Sequence, residues 1–151
     1  MKIPPSIYCC LLMSVTTIAY GQEEKREVLA ITKQFFDALE KGDTATFRSL
    51  FIEDARNYFV QEKDTKVQAG SRSPKSFRFN NERIIRERFI ENGVEVMVHN
   101  RIAVVWGLYN LWINDSFSHC GVDAFTLLKT EQGWKISSLS YSMETEGCTV
   151  K

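Results

Sequence analysis

The second half of the chain consists of long runs of residues that favour β-strands, and these runs constrain the fold more than any other feature. Four of them are rich in valine, isoleucine and aromatic residues. They span residues 94–99, 102–113, 117–129 and 134–143. Asn114-Asp115 and Glu131-Gln132-Gly133 supply tight turns between the last three runs. Consecutive strands joined by tight turns pair with one another, so the sequence predicts an antiparallel meander.

The residues before these runs predict helices. From Glu23 to Lys41 apolar side chains recur every three or four positions, as on one face of a helix, and Gly42 is a typical C-terminal stop. Asp43 is suited to cap a second, short helix that reaches Phe51. Helices followed by a meander predict an α+β fold, in which N-terminal helices pack on one face of a curved antiparallel sheet.

The segment between the helices and the meander is less regular. Residues 57–61 are predicted as a short strand, residues 62–65 as a charged turn and residues 69–74 as a loop. Residues 76–92 fit a helix nearly as well as a strand. The sequence favours a loop or a short helix there, followed by a strand.

The first 21 residues have the pattern of a secretory signal peptide. Lys2 provides a positive start, residues 7–20 are largely apolar, and Ala19-Tyr20-Gly21 places small residues before a cut at Gln22. An uncleaved membrane anchor is the alternative, but the apolar run is short for a membrane span. The sequence therefore predicts a signal peptide over residues 1–21, one domain over residues 22–151, and a secreted or periplasmic protein that is not membrane-bound after cleavage.

Cleavage would remove Cys9 and Cys10 and leave Cys120 and Cys148. In an oxidising compartment such a pair forms a disulfide, and the predicted hairpins bring Cys120 close to the end of the last strand, shortly before Cys148. Closing that loop stabilises the fold by about 3–4 kcal/mol on the chain-entropy model. The alternative is a nucleophilic Cys120 with His119 as its base. Neighbouring strand residues point to opposite faces, which argues against such a thiol enzyme.

The charges are balanced, with 19 basic and 19 acidic residues, and so give no indication of nucleic-acid binding. His99 and His119 are the only imidazoles and lack metal-ligand spacing, so no metal site is predicted. One local run is basic: Arg72, Lys75, Arg78, Arg83, Arg86 and Arg88. Such a run either contacts an acidic ligand or forms a solvated surface, and the second role is the more usual.

The predicted turns also determine which side chains share a face of the sheet. With a two-residue turn at Asn114-Asp115 and a three-residue turn ending at Gly133, Trp106 lies opposite Asp123, and Asp123 opposite Tyr141. Alternation then places on one face Trp106, Asn110, Trp112, His119, Asp123, Phe125, Tyr141 and Met143. The other face carries Val105, Gly107, Tyr109, Cys120, Val122 and Ala124. A shift of one residue in either hairpin would change this grouping.

Several motifs along the chain resemble one superfamily. They are Phe36-x-Ala38-x-x-x-Gly42-Asp43, Phe51-x-x-Asp54-Ala55, Ala103-Val104-Val105-Trp106, the segment 117–125, Gly133-Trp134-Lys135-Ile136 and Gly147-Cys148. Together they resemble the nuclear transport factor 2-like (NTF2-like) superfamily, also called SnoaL-like cone folds, and the closing segment resembles its small secreted bacterial members. The resemblance implies a cone-shaped α+β fold. It does not imply one activity, because the superfamily includes isomerases, cyclases, dehydratases and non-catalytic domains.

In that fold one face of the sheet is cupped against the helices and forms a pocket, and the Trp106 face is predicted to be this surface. Asp123 would lie between the rings of Trp106 and Tyr141, where desolvation raises the pKa of a carboxyl group. Asp123 is accordingly predicted as a general acid or base and Tyr141 as a hydrogen-bond donor. An Asp beside a Tyr is also often a structural group, and that interpretation stays open. The predicted ligand-pocket residues are Trp106, Asn110, His119, Phe125 and Met143.

The sequence thus leaves three functions open. The first is a secreted domain that binds a small, largely apolar ligand in the cone pocket. The second is an isomerase-like or cyclase-like enzyme that uses Asp123 for proton transfer. The third is a non-catalytic module that forms a homodimer or binds a partner through the sheet, as members of the superfamily commonly do. No cofactor is predicted.

Overall fold

The computed structural model describes residues 5–63, 65–80 and 82–149, and for residues 5–20 it describes the backbone alone. The elements are α1 Pro5–Lys41, α2 Thr44–Ser49, β1 Phe51–Lys63, β2 Lys66–Arg72, β3 Ile85–His99, β4 Ile102–Ile113, β5 Ser116–Thr130 and β6 Gly133–Met143. Among the described residues no helix is both long and apolar enough to span a membrane. Residues 1–4 of the predicted signal peptide lie outside the described residues, and its cleavage stays a prediction.

Helix α1 ends and helix α2 begins where the sequence predicts, but α2 stops at Ser49, and Phe51 begins β1 instead of ending the helix. Helix α1 stops at Lys41, and Gly42 follows with a positive φ of 65°, a conformation that glycine adopts without steric cost. Asp43 then caps α2 by accepting a hydrogen bond from the backbone N–H of Thr46 at 3.0 Å. The sharp turn between the helices lets both lie on the same side of the sheet.

The six strands form one curved sheet in the order β2-β1-β6-β5-β4-β3. Strands β3, β4, β5 and β6 form the predicted meander. Strand β1 pairs with β2 in antiparallel fashion but with β6 in parallel, so the sheet is mixed rather than wholly antiparallel. The α+β cone fold predicted from the sequence is confirmed in all other respects.

The least regular segment of the sequence differs in part from its prediction. Residues 69–74 were expected as a loop, but β2 runs to Arg72, because pairing with β1 supplies hydrogen bonds to a segment of weak strand propensity. A 3-10 turn at Pro74–Ser76 and an irregular stretch follow, and β3 begins at Ile85. The prediction of a loop and then a strand over residues 76–92 is confirmed.

The core lies between the helices and one face of the sheet, called here the inner face. Val105, Phe125 and Ile136 point from this face and are fully buried. Phe35 of α1 meets Phe125 edge to face with ring centroids 5.1 Å apart, and Phe36 meets Phe89 in the same way at 5.0 Å. Such edge-to-face contacts are favourable for aromatic rings and orient the helix on the sheet.

The register between β4 and β5 shifts by one residue within the first hairpin. The turn itself is as predicted, since Ile113 pairs with Ser116. Trp112 then pairs with Phe117 but Leu111 with His119, so that Ser118 forms a bulge. From this bulge onward, each residue of β4 pairs with the β5 residue one position beyond its predicted partner.

The predicted grouping of side chains on the two faces is therefore wrong in part. Gly107, and not Trp106, lies opposite Asp123. Trp106 is on the opposite, outer face with 38% of its surface exposed, and Asn110 is also outside. There the amide of Asn110 donates a hydrogen bond to the carbonyl of Thr149 at 2.9 Å, under the C-terminal tail.

A second bulge restores the register between β5 and β6. Thr130 pairs with Gly133 rather than with Trp134, which differs from the predicted turn. The ladder skips Ser137, and from that point Asp123 lies opposite Tyr141 as predicted. The bulge therefore offsets the one-residue difference between the predicted and the observed turn.

The predicted disulfide is present. Cys120 and Cys148 are bonded, with Cα atoms 5.7 Å apart, and Cys120 forms a β-bridge with Glu144 just beyond β6. The bond ties the C-terminal tail to the outer face of β5. Because the sulfur of Cys120 is consumed, it cannot be the nucleophile of a thiol enzyme in this state.

Candidate functional site

A cavity of about 410 Å³ lies over the inner face, between the helices and the sheet. Both helices, all six strands and the irregular segment before β3 contribute to its walls. Surface clefts of about 600 and 740 Å³ also occur, but most of the residues around them are exposed. The cavity over the inner face differs in reaching deeply buried side chains, which is typical of small-molecule sites.

Apolar side chains form most of the cavity wall. Phe35 and Leu39 of α1, Phe47 of α2 and Leu139 of β6 are all buried and line it. The rings of Phe35 and Phe47 lie 5.3 Å apart between centroids. A flat apolar molecule would therefore find complementary surfaces on the helix side and on the sheet side.

Two buried carboxyl groups lie at the inner end of the cavity. Glu87 lines the cavity with 8% of its surface exposed, and Asp123 has no exposed surface. The two carboxyl groups are near enough to perturb each other's pKa. A hydrogen bond between them requires a proton on one, because ionised carboxylates only accept hydrogen bonds. Within the described part of the chain no N–H or hydroxyl group donates to either oxygen of Asp123.

The pKa values of both carboxyl groups are raised. Burial raises the pKa of Asp123 well above its usual range, and the charge of Glu87 raises it further. Burial also raises the pKa of Glu87, to about 7, although the hydrogen bond with Asp123 and the charge of Arg88 oppose the shift. Near neutral pH the two carboxyl groups are therefore not both ionised, and the pair holds at least one proton.

Tyr109 is fixed beside this pair by a hydrogen bond. Its hydroxyl donates to the backbone carbonyl of Ser142 at 2.7 Å, and burial raises its pKa far above the usual value. The ring passes close to Gly121, where an added Cβ would lie 2.9 Å from the Tyr109 ring and 2.2 Å from the Ser142 oxygen. The glycine therefore permits the close approach that positions Tyr109.

Three further polar side chains of the cavity wall are buried or partly buried. Asn57 is buried, and its Oδ1 accepts no hydrogen bond from any described residue. Burial raises the pKa of Tyr141. Burial and the charge of Arg83 lower the pKa of His119, so its imidazole is neutral at physiological pH. The buried part of the cavity thus combines apolar walls with Glu87 and a few neutral polar groups.

The comparison with protein-family models identifies the family. A model described as "Putative lumazine-binding" matches residues 23–142, which is most of the 151-residue chain. The chain belongs to this family. A comparison with curated protein sequences finds no significant match for this lumazine-binding-like domain.

Solved structures with the same fold are NTF2-like proteins. A protein from Streptomyces avermitilis, described as "a putative dehydratase from the NTF2-like family", is 19% identical with a TM-score of 0.59, over 81% of this chain and 96% of its own. An NTF2-like superfamily protein from Salmonella enterica is 13% identical with a TM-score of 0.62, over 86% and 97%. An NTF2-like protein with a cystatin-like fold from Novosphingobium aromaticivorans is 12% identical with a TM-score of 0.61, over 91% and 92%. At these identities the likeness establishes the fold.

The lumazine-binding-like domain brings only some of the predicted site residues together. His119, Tyr141 and Met143 line the cavity, whereas Phe125 is buried in the core beneath it. Asp123 is on the inner face as predicted, but it is fully buried and does not line the cavity. Trp106 and Asn110 are on the outer face, because the bulge at Ser118 shifts the register between β4 and β5. They do not line the cavity.

Sequence reasoning missed Glu87, although a signal was available. Ile85, Glu87 and Phe89 alternate with charged residues, and such alternation in a strand would point Glu87 to the same face as two apolar side chains. The surrounding arginines obscured the pattern by suggesting a solvated face. No group of three or more side chains suited to a metal ion occurs among the described residues.

Proposed function

We propose that the chain is a domain that binds a small, largely apolar molecule in the cavity over the inner face. The observation that carries this proposal is the cavity itself, about 410 Å³ in volume and lined by buried aromatic and aliphatic side chains. The family description agrees with it, since lumazine is a small, flat, bicyclic molecule. Flat rings fit between the phenylalanines of the helices and the sheet.

Asn57 supports the same proposal independently. Its buried Oδ1 has no hydrogen-bond partner among the described residues, and leaving a buried acceptor unpaired costs about 1–3 kcal/mol. A ligand N–H or O–H directed at this atom would recover that cost. The expected ligand is therefore an apolar ring system with at least one hydrogen-bond donor.

A cavity-filling variant tests the proposal. Leu139→Trp places an indole in the cavity, whereas Leu108→Trp adds the same group on the outer face, where Leu108 is 43% exposed. Lumazine and N-phenyl-1-naphthylamine, a neutral dye that fluoresces in apolar sites, serve as probes in fluorescence titrations. We expect binding to the wild type and to Leu108→Trp but not to Leu139→Trp. Equal binding by both variants would exclude the cavity as the site.

The Glu87–Asp123 pair favours a second function, acid–base catalysis. Glu87 faces the cavity with a pKa of about 7, and a group with that pKa can take up and release protons near neutral pH. Glu87 is the expected base, and Asp123 holds it in place through their hydrogen bond. This replaces the sequence-based role of Asp123 as the base itself, with Tyr141 retained as a hydrogen-bond donor to the substrate.

Hydrogen exchange on a model ketone tests this second function without knowledge of the natural substrate. 2-Tetralone is a bicyclic ketone with acidic C–H bonds, and NMR in heavy water follows their replacement by deuterium. We expect the wild type and the control variant Glu95→Gln, changed at an exposed site on the same strand, to accelerate the exchange. Glu87→Gln should not. No acceleration by the wild type over buffer would remove the catalytic proposal for ketones of this kind.

The outer face supports a third proposal, that the domain forms a homodimer through its sheet. Tyr58, Met97, Trp106 and Leu108 expose large apolar surfaces there, and burying such surfaces is the main driving force of association. Trp106→Glu would introduce a charge at this face. Light scattering after size exclusion should give a dimer mass for the wild type and a monomer mass for the variant, whereas a monomeric wild type would contradict the proposal.

We also propose that the protein is secreted or periplasmic after cleavage behind Gly21. The signal-like pattern of residues 1–21 supports this, and so does the disulfide, a bond that persists in oxidising compartments. N-terminal sequencing of the exported protein should begin at Gln22. A mature protein that begins at Met1 would contradict the assignment.

A further inference from the structure

Three arginines surround the opening of the cavity. Most of its lining residues are partly or fully buried, but Arg72, Arg78, Asn80 and Arg83 are exposed and therefore mark its mouth. The arginines come from separate elements, at the end of β2, after the 3-10 turn and just before β3. Three separate segments thus bring three positive charges to one opening.

These arginines differ from the other basic residues of the same run. Lys75 pairs with Glu53 at 3.3 Å, Arg86 with Asp115 at 3.5 Å, and Arg88 with Glu40. Among the described residues, no ion pair involves the three at the mouth. The basic run is therefore divided into a structural half, whose charges are compensated, and a half directed at the cavity.

Local contacts also position the Arg78 side chain and the backbone that carries Arg72. Arg78 donates from Nη1 to the carbonyls of Lys75 and Phe77 at 3.3 and 3.2 Å. The backbone of Arg72 lies opposite Asn57, the residue with the unpaired acceptor, in the β1–β2 ladder.

The loop that carries Arg83 is anchored to the turn between β4 and β5. The side chain of Asn114 accepts a hydrogen bond from the N–H of Ile84 at 2.9 Å and donates one to the carbonyl of Glu82 at 3.0 Å. A loop held in this way loses less conformational entropy when the arginine that it carries binds an anion.

The charges are unevenly distributed along the depth of the cavity. Positive groups surround the mouth, while the described lining residues include one carboxyl group, Glu87, at the inner end. That group is buried and interacts with the second carboxyl group, Asp123. An acidic group on a ligand would therefore be attracted at the mouth and disfavoured at the inner end.

We propose that the ligand carries an acidic group, a carboxylate or sulfonate type of anion, on its apolar ring body, and that Arg72, Arg78 and Arg83 bind this anion at the mouth. This inference rests on the proposed ligand-binding function and names its ligand class. Guanidinium groups match such anions because their N–H donors point in parallel towards two oxygens. The ring body lies inward among the phenylalanines, and a donor on it faces Asn57.

Two fluorescent dyes test the inference because they differ by one charged group. 1-Anilinonaphthalene-8-sulfonate has the ring body of N-phenyl-1-naphthylamine with one added sulfonate. In the wild type we expect the sulfonate dye to bind about tenfold more tightly, the effect of one or two charge-assisted hydrogen bonds at an exposed site. The advantage should shrink as salt is added, while the neutral dye should be insensitive to salt.

Matched variants locate the effect. Arg72→Gln, Arg78→Gln and Arg83→Gln combined should make the affinities of the two dyes equal and leave that of the neutral dye unchanged. The control combines Arg26→Gln, Arg56→Gln and Arg101→Gln, which remove the same charge from exposed sites away from the cavity. This control variant should keep the tenfold difference in affinity between the two dyes. Near-ultraviolet circular dichroism verifies folding, and the three single variants replace the triple variant if it does not fold.

The outcomes separate this inference from the function on which it rests. If the neutral dye binds and Leu139→Trp abolishes its binding, the ligand-binding proposal stands. If the sulfonate dye then binds no more tightly than the neutral dye, the anion site is overturned. It is also overturned if both triple variants lose the difference in affinity between the dyes to the same extent. If neither dye is affected by Leu139→Trp, both proposals fail.

Discussion

Replacing the buried carboxyl pair should change how the stability of the protein depends on pH. Glu87 and Asp123 hold protons in the folded state that an unfolded chain releases at lower pH. A group whose pKa is raised on folding contributes most favourably below its unfolded pKa, and this contribution is lost as the pH rises towards the folded pKa. The free energy of unfolding should therefore fall between about pH 4.5 and about pH 7.

The size of this fall in the free energy of unfolding follows from the rise in the pKa of Glu87. A rise from 4.5 to about 7 for Glu87 corresponds to about 3 kcal/mol, at about 1.4 kcal/mol per unit. Roughly 2 kcal/mol of this falls between about pH 5 and about pH 8, and Asp123, whose pKa is shifted in the same direction, adds to it. The double variant Glu87→Gln/Asp123→Asn keeps the shape of both side chains but has no protons to release at this site.

Urea unfolding of the wild type and the double variant at the two pH values measures this difference. The wild type should lose at least about 2 kcal/mol relative to the variant on going from the lower to the higher pH. Other titrating groups, including His119, cancel in the comparison. Glu95→Gln, an exposed change on the same strand, should behave as the wild type. A difference between wild type and double variant that is the same at both pH values would falsify the assignment of a shared proton.

Three further predictions concern stability. Cys120→Ala/Cys148→Ala should lower the free energy of unfolding by about 3–4 kcal/mol for a bond between residues 28 apart, and a reducing agent should then have no further effect in denaturant titrations. Tyr109→Phe removes the donor to the Ser142 carbonyl and should cost about 1–3 kcal/mol in the same assay, with a smaller loss pointing to a replacement by water. Phe35→Ala should cost about 3–5 kcal/mol because this ring is buried among others, and an unchanged melting temperature would contradict the assigned core.

The sequence is sufficient to predict the architecture, because that depends on features that recur along the chain. The periodicity of α1, the stop at Gly42 and the strand runs of the meander each repeat a signal several times, so single errors do not alter the result. The disulfide could also be predicted from the sequence, since it depends only on both cysteines lying near the end of the sheet.

The site depends on single residues and was therefore harder to predict. Ser118 is an ordinary strand residue in the sequence, and its bulge arises because side chains of β4 and β5 must fit the inner and outer faces of a curved sheet. One such residue moved Trp106 to the outer face. The bulge at Ser137 restores the predicted register between β5 and β6. Asp123 therefore lies opposite Tyr141, although the predicted turn between these strands was wrong.

Glu87 illustrates a further limit of the sequence. Its raised pKa results from burial, which outweighs the opposing hydrogen bond with a carboxyl group 36 positions later in the chain. A strand pattern indicates the face on which a carboxyl group lies, but it does not indicate which second carboxyl group the curvature of the sheet brings against it. The same holds for the arginines at the mouth, whose convergence depends on the path of an irregular loop.

The parallel pairing of β1 with β6 has a consequence for the order in which the protein is assembled. The hairpin formed by β1 and β2 has β6 as its only other neighbour in the sheet, and β6 is the last strand of the chain. During synthesis this hairpin can therefore join the rest of the sheet only after residues 133–143 have emerged, whereas each strand of the meander can pair with the strand made just before it. Folding should begin in the second half of the chain, and the cavity should close only when the earliest strands join the latest one.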